Sequence, residues 1–225
     1  MKKRLLSSIV LAALLSVGLY AFAAPAPAAH ASAPTNHTIT RTSGSTASAG
    51  FHFESGDVTG DVFIEASPEG FQFSPTESFP GPAVQVFVQE CNNVTTQCVF
   101  GGNMAHPTVL QLGAKKLTSA TLQASVPVDL MDQTGAVVAS TVVTADLTWT
   151  GVGSITSQSG NFRIRTPHLL NEMYHFKGII RNATVSGDAS YFSPLLNSTV
   201  TLMGSDVMFA QLMSSGSTSF SIQRG

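Results

Sequence analysis

The densest group of ionisable side chains in this sequence lies between residues 163 and 175. His168, Glu172 and His175 follow closely on Arg163 and Arg165. Imidazole and carboxylate groups are zinc ligands, and a histidine is the usual general base of a hydrolase. The spacing matches no metal signature, because two residues seven positions apart fall on opposite faces of a strand. We therefore predict ordinary loop and strand-surface roles for these five residues, and keep them as the candidate site of a hydrolase.

Other polar residues give weaker signals of chemistry. Arg163 and Arg165 would protrude from one face of a strand and could hold a carboxylate or a phosphate, although a solubilising pair is the commoner arrangement. His52 and His106 are far apart in sequence, and only the fold could bring them to His175. The chain contains no nucleophile elbow, zinc-protease helix, phosphate loop or dinucleotide fingerprint. We accordingly predict no catalytic residue, no metal and no cofactor.

Cys91 and Cys98 are the only cysteines of the chain, and a short polar segment separates them. The gap is too long for a Cys-x-x-Cys redox motif, and no histidine that could share a metal lies nearby in sequence. In an exported chain, two cysteines at this distance predict a disulfide that joins neighbouring strands.

The chain begins like a secretory signal peptide. Three basic residues at 2–4 precede an apolar run at 5–23, and small residues suitable for cleavage follow between 23 and 33. An uncleaved membrane anchor is the alternative, because the run is nearly long enough to span a bilayer. The expected organisation is a signal peptide at 1–23, a flexible Ala/Pro/Ser/Thr-rich tether at 24–48 and a single β-domain at 49–225.

Composition and charge narrow the class of protein. Apolar residues make up 43% of the chain and charged residues only 11%, which is typical of extracellular β-structure. Without the three basic leader residues, eight Lys and Arg oppose thirteen Asp and Glu, a formal net charge of −5. A nucleic-acid partner is therefore not expected. The style of the leader indicates a bacterial protein, and no membrane span is expected once it is removed.

The stretch 118–153 carries the clearest structural pattern. Apolar residues occupy every second position of 120–130, and the alternation resumes after a turn-like 132–135 and continues to Trp149. Two such runs joined by a short turn predict a long antiparallel hairpin with one face buried. Pro127 cannot donate a backbone hydrogen bond, so this part of the first strand is expected at an edge or a bulge.

The remaining segments predict more strands and no helix after the leader. Residues 51–53 and 58–66 form a first hairpin. Residues 67–82 form a loop whose Phe71, Phe73 and Phe79 either fold back onto the core, which we favour, or line an opening. A bulge near Arg181 explains a change of parity in the segment 174–189. About ten strands are expected in an all-β antiparallel domain, with a barrel slightly favoured over a sandwich.

No motif identifies an activity. The leading hypothesis is an exported, non-enzymatic β-domain that binds either a small apolar ligand inside the barrel or an extracellular partner on its sheet surface. The alternative is an extracytoplasmic hydrolase that uses His168, His175 or a carboxylate, and a third is a purely structural protein. A ligand-binding interior would be an apolar cavity bounded by Phe51, Val143, Trp149, Phe176 and Phe220.

Overall fold

The computed structural model describes residues 37–72, 78–113, 116–166 and 170–223, with side chains described for 44–71, 78–113, 116–160 and 177–215. The described chain is almost entirely β-strand, with one single-turn 3₁₀ helix at Gly204–Asp206. The strands are β1 (His37–Ser55), β2 (Val58–Ser67), β3 (Gly70–Gln72), β4 (Ser78–Pro80), β5 (Ala83–Asn92), β6 (Cys98–Ala105), β7 (Val109–Leu112), β8 (Ser119–Asp132), β9 (Val137–Gly151), β10 (Thr156–Thr166), β11 (Leu170–Ser193), β12 (Ser198–Met203) and β13 (Val207–Gln223).

Eleven of these strands form one antiparallel sheet, and β3 and β4 form a separate hairpin. Within the sheet, eight strands close a ring in the order β1, β2, β5, β6, β8, β9, β11, β13 and back to β1. Closure of this kind leaves few unpaired edges. The all-β antiparallel prediction is thus confirmed, and eight of the strands form a closed ring.

The longest strands belong to the ring over only part of their length. The first half of β11 pairs with β10 and β13, and its second half pairs with β9 and β12. The first half of β1 pairs with β13 alone, since β2 joins it only from Ala47 onward. A four-stranded extension, in the order β10, β11, β13, β1, therefore continues from the ring.

The hairpin of β8 and β9 forms as the sequence predicts. Its even-numbered residues from Ala120 to Leu130 are buried, and their neighbours on β8 face solvent or are half-buried. The turn is held by the Asp132 carboxylate, which accepts hydrogen bonds from the backbone of Thr134 and Ala136 and from the Thr134 hydroxyl. The core that this hairpin covers is built from small aliphatic residues around Trp149 and Tyr191.

Pro127 lies in a part of β8 where one edge of the strand has no backbone pairing partner among the described strands. One edge of β8 pairs with β9 along thirteen residue pairs, Pro127 to Val142 among them. The other edge pairs with β7 at residues 120–123 and with β6 at residues 131–132, so Pro127 falls between the two ladders. Its carbonyl accepts a hydrogen bond from the Asn103 side chain at 2.8 Å. The expected edge-like position is confirmed.

Three local expectations differ from the structure. The loop at 67–82 contains the short hairpin of β3 and β4, in which Phe79 packs on His106 with ring centroids 4.6 Å apart, while Phe73 lies outside the described residues. The register shift of β11 lies at Lys177–Gly178 and not near Arg181. β1 includes residues 37–48 of the expected tether, because their backbone pairs with β13 and buries Ala47.

Cys91 and Cys98 form the predicted disulfide. They lie directly opposite each other on β5 and β6, with their Cα atoms 4.1 Å apart. A disulfide of this kind is typical of an oxidising, extracytoplasmic compartment. In the described part of the chain, no helix has the length and apolar character needed to cross a membrane.

Candidate partner-binding face

The residues singled out for hydrolase chemistry lie on two paired strands. Arg163 and Arg165 belong to β10, Glu172 and His175 belong to β11, and the backbone of Glu172 pairs with that of Ile164. The side chains of these four residues, and the whole of His168, lie outside the described residues. The predicted ordinary surface roles of these residues, and the hydrolase alternative, therefore both stay predictions.

Three of the five positions expected to bound an apolar cavity are packed into the core. Phe51 and Trp149 are 0% exposed and Val143 is 1% exposed. The Trp149 indole nitrogen donates a buried hydrogen bond of 3.0 Å to the Ser48 carbonyl, which fixes the ring across the interior. The side chains of Phe176 and Phe220 lie outside the described residues. At the three described positions the space is filled by the protein's own side chains.

One carboxylate lies inside the ring. Glu90 is 0% exposed, and one of its oxygens accepts a short hydrogen bond of 2.6 Å from the buried Ser193 hydroxyl. The other oxygen and the Tyr191 hydroxyl make no hydrogen bond of good geometry within the described structure. Burial and, after it, the neighbouring Glu90 carboxylate raise the pKa of Tyr191, so that its hydroxyl stays protonated.

Aromatic rings line part of the outer surface of the ring. Phe63 lies between the buried residues Val62 and Ile64 and therefore points outward from β2. The Phe209 ring of β13 lies beside it, with centroids 6.1 Å apart and planes tilted by 31°. Phe87 of β5 is directly opposite Phe63 in register, so the aromatic row crosses from β13 to β5.

A glycine makes room for this row. Gly50 of β1 pairs with Phe63 on one side and with Phe209 on the other. A β-carbon at Gly50 would overlap the Phe209 ring, so the ring lies flat on the strand. Phe63, Phe87 and Phe209 are all only half-buried, and they thus present part of each ring to solvent.

Carboxylates stand next to the aromatic row. Asp61 precedes Phe63 by two positions on the same face of β2, and Glu54 lies on the neighbouring β1. The side chains of Glu54 and Asp61 are 75% and 55% exposed. We call the surface formed by Glu54, Asp61, Phe63, Phe87 and Phe209 the acidic aromatic face.

The imidazole of His52 faces both of these acids. Its Nδ1 lies 2.8 Å from Asp61 Oδ1, and its Nε2 lies 3.5 Å from Glu54 Oε1. The hydrogen bond to Asp61, aided by Glu54 and opposed by partial burial, raises the pKa of His52. Because both ring nitrogens face carboxylates, His52 has no free nitrogen with which to act as a base on a substrate.

The distribution of charge along the chain is the sequence signal that indicates this face. Residues 42–114 contain seven Asp and Glu and no Lys or Arg, whereas the other residues after 23 contain six Asp and Glu and eight Lys and Arg. The formal charges are −7 and +2, which sum to −5 over residues 24–225. The acidic segment contains strands β2 to β7 and most of β1 after Arg41.

A groove of about 380 Å³ lies elsewhere, at the register shift of the extension. It is lined by serines, Gln158, Gly178, Ile179 and Lys177. These described side chains offer hydroxyl and amide groups with a single cation, and no pair that could act as acid and base.

The other expected histidine is part of the structural framework. His106 Nδ1 lies 2.8 Å from the Pro82 carbonyl, so His106 supports the β3–β4 hairpin and does not approach His52. Over the described ranges, no three His, Cys, Asp or Glu residues are arranged to hold a metal ion. Comparisons of the chain with protein-family models, with curated proteins and with solved structures found no match.

Proposed function

We propose that this protein is an exported, non-enzymatic binding domain that contacts a macromolecular partner through the acidic aromatic face. The observation that carries the proposal is the contrast between the two sides of the ring. Inside, Trp149 and Phe51 are wholly buried in one apolar cluster. Outside, Phe63 and Phe209 pack on each other and are only partly buried.

Aromatic residues that stay partly exposed are enriched where proteins meet partners, because they supply a large apolar contact area at a small entropic cost. The complete burial of Phe51, Val143 and Trp149 favours a surface partner over a small apolar ligand in the ring. The hydrolase alternative gains no support from the described histidines, since His52 faces two carboxylates and His106 a backbone carbonyl.

Native mass spectrometry of the protein purified from its own host tests this proposal. The expected spectrum shows the exported chain with a polypeptide-sized adduct, and Phe63→Ser removes that adduct. Val142→Ser is the matched control, because Val142 is an outward residue of β9 that is 50% exposed and lies outside the acidic aromatic face.

The emission of the buried Trp149 reports whether each variant is folded. Retention of a small apolar molecule by both variants would contradict the proposal, and so would equal loss of the adduct from folded Phe63→Ser and Val142→Ser proteins.

A further inference from the structure

We infer that the partner of the acidic aromatic face is a basic protein segment, whose Arg or Lys side chains lie on Phe63 and Phe209 and bind Glu54 and Asp61. This inference rests on the proposed function and names the chemistry of the partner. Its basis is the charge of the face together with the position of its rings.

The first step concerns the excess of negative charge on this face. Both Glu54 and Asp61 are more than half exposed, and His52 is their ion-pair partner in the described structure. No Lys or Arg lies within residues 42–114 that could neutralise them from the same strands. A cationic partner would supply the charge that this half of the ring lacks.

The second step concerns the rings. The face of an aromatic ring carries partial negative charge and attracts an ammonium or guanidinium group placed above it. The Phe209 ring lies flat over Gly50 and is tilted by only 31° from Phe63, so the two rings form one shallow platform. Residues two apart on a strand are about 6.6 Å apart, which places the Asp61 carboxylate at the edge of that platform.

The third step concerns the type of cation. A guanidinium group is planar, stacks on aromatic rings and donates two parallel hydrogen bonds to one carboxylate. The platform with Asp61 beside it offers both contacts to a single arginine. Glu54 on the adjacent strand provides a second carboxylate for the next basic residue of an extended segment.

Fluorescence anisotropy with defined peptides tests the inference on the disulfide-bonded chain without its leader. A labelled Arg/Gly-repeat peptide is the probe, and a Glu/Gly-repeat peptide of equal length is the charge control. We expect the Arg/Gly peptide to bind and to bind more weakly as salt is added. The double variant Glu54→Gln/Asp61→Asn should weaken binding about fivefold to tenfold.

The matched control is Asp146→Asn/Asp188→Asn. These two aspartates pair with each other in register on β9 and β11, outside the acidic aromatic face, and their replacement removes the same formal charge. Binding to this control should stay within about twofold of the unmodified protein, which would separate a local site from a general effect of net charge.

Several outcomes would overturn the inference. Equal binding of both peptides, or equal weakening by both double variants, would mean that the face does not select a basic segment. Binding of a neutral oligosaccharide that Phe63→Ser abolishes would assign the rings to a sugar. A dimer that Glu54→Gln/Asp61→Asn dissociates would make a second copy the occupant. If the Arg/Gly peptide does not bind while Phe63→Ser still removes the native adduct, the basic segment is wrong and the proposed function stands.

Discussion

Glu65 carries the clearest pH signal among single residues. It lies on the outer side of β2, where its register partners Ser48 and Gln85 are themselves buried. Burial raises the pKa of the Glu65 carboxyl to about 7, and a hydrogen bond from Thr46 opposes part of that rise. The folded state thus holds a proton that the unfolded state has already lost above its ordinary pKa of 4.5.

The sign of the effect follows from this proton. The free energy of unfolding should fall as the pH rises from about 4.5 to about 7. Above about pH 7 the destabilisation caused by ionised Glu65 should be complete. The Glu65→Gln variant removes the ionisable group, so we expect it to be more stable than the unmodified protein by about 1–2 kcal/mol at pH 8. The two proteins should be nearly equal at pH 4. Urea unfolding at both pH values measures the difference, and a gain of equal size at pH 4 would contradict the assignment.

The two hydroxyl groups near Glu90 should differ in importance. Ser193 donates the 2.6 Å hydrogen bond that satisfies one oxygen of the buried carboxylate, whereas the Tyr191 hydroxyl makes no hydrogen bond of good geometry. Ser193→Ala leaves a buried carboxylate oxygen without its donor, at an expected cost of about 2–3 kcal/mol. Tyr191→Phe should change the stability by less than about 1 kcal/mol. Chemical denaturation of the two variants compares them directly, and the reverse order would show that Tyr191 is the donor on which Glu90 depends.

At the scale of elements, the disulfide stabilises a hairpin that already has a short connection. For eight residues in the closed loop, the loop-entropy relation gives about 2.5 kcal/mol. We expect a smaller loss, because the Asn92 carboxamide accepts hydrogen bonds from the backbone of Val94 and Thr95 and holds the turn without the bridge.

Thermal unfolding of Cys91→Ser should therefore show a melting temperature lowered by several degrees. The Cys91→Ser/Cys98→Ser double variant is the control for effects of a lone thiol and should match the single variant. An unchanged melting temperature would mean that the bridge does not restrict the unfolded chain.

The elements differ in how far the sequence determines them. The hairpin of β8 and β9 is predictable because one face of each strand is buried and the other is wet, so side chains alternate in the sequence itself. β11 cannot be predicted in the same way, because its two halves pair with different strands. Its register shift at Lys177 depends on where β13 pairs with it. The acidic aromatic face cannot be predicted from the local sequence pattern either, because its contacts join residues from different strands. Phe63 is a half-buried ring only because Phe209 and Gly50, distant in sequence, lie beside it.

At the scale of the whole molecule, the ring has one weak seam. Two residue pairs, Val99 with Asp132 and Phe100 with Met131, form the ladder between β6 and β8. By contrast, β8 pairs with β9 through thirteen residue pairs. Gly101 lies so close to the Asp129 carbonyl that a β-carbon would not fit, so the two strands approach closely beyond the end of their short ladder. A ring with such a seam should open there before it opens elsewhere.

Amide hydrogen exchange tests where the ring opens. In the unmodified protein, the β8 amides at 124–130 that face β6 should exchange faster than those that face β9, because they lack ladder acceptors. The Asn103→Ala variant removes the 2.8 Å hydrogen bond to Pro127 O, so exchange at 101–105 and 124–130 should rise about fivefold to tenfold, equivalent to a lost hydrogen bond of about 1 kcal/mol. Gln123→Ala is the control, since the Gln123 amide bonds to Asp146 on the fully paired side of β8. If exchange rises first between β1 and β2, the seam does not limit the stability of the ring.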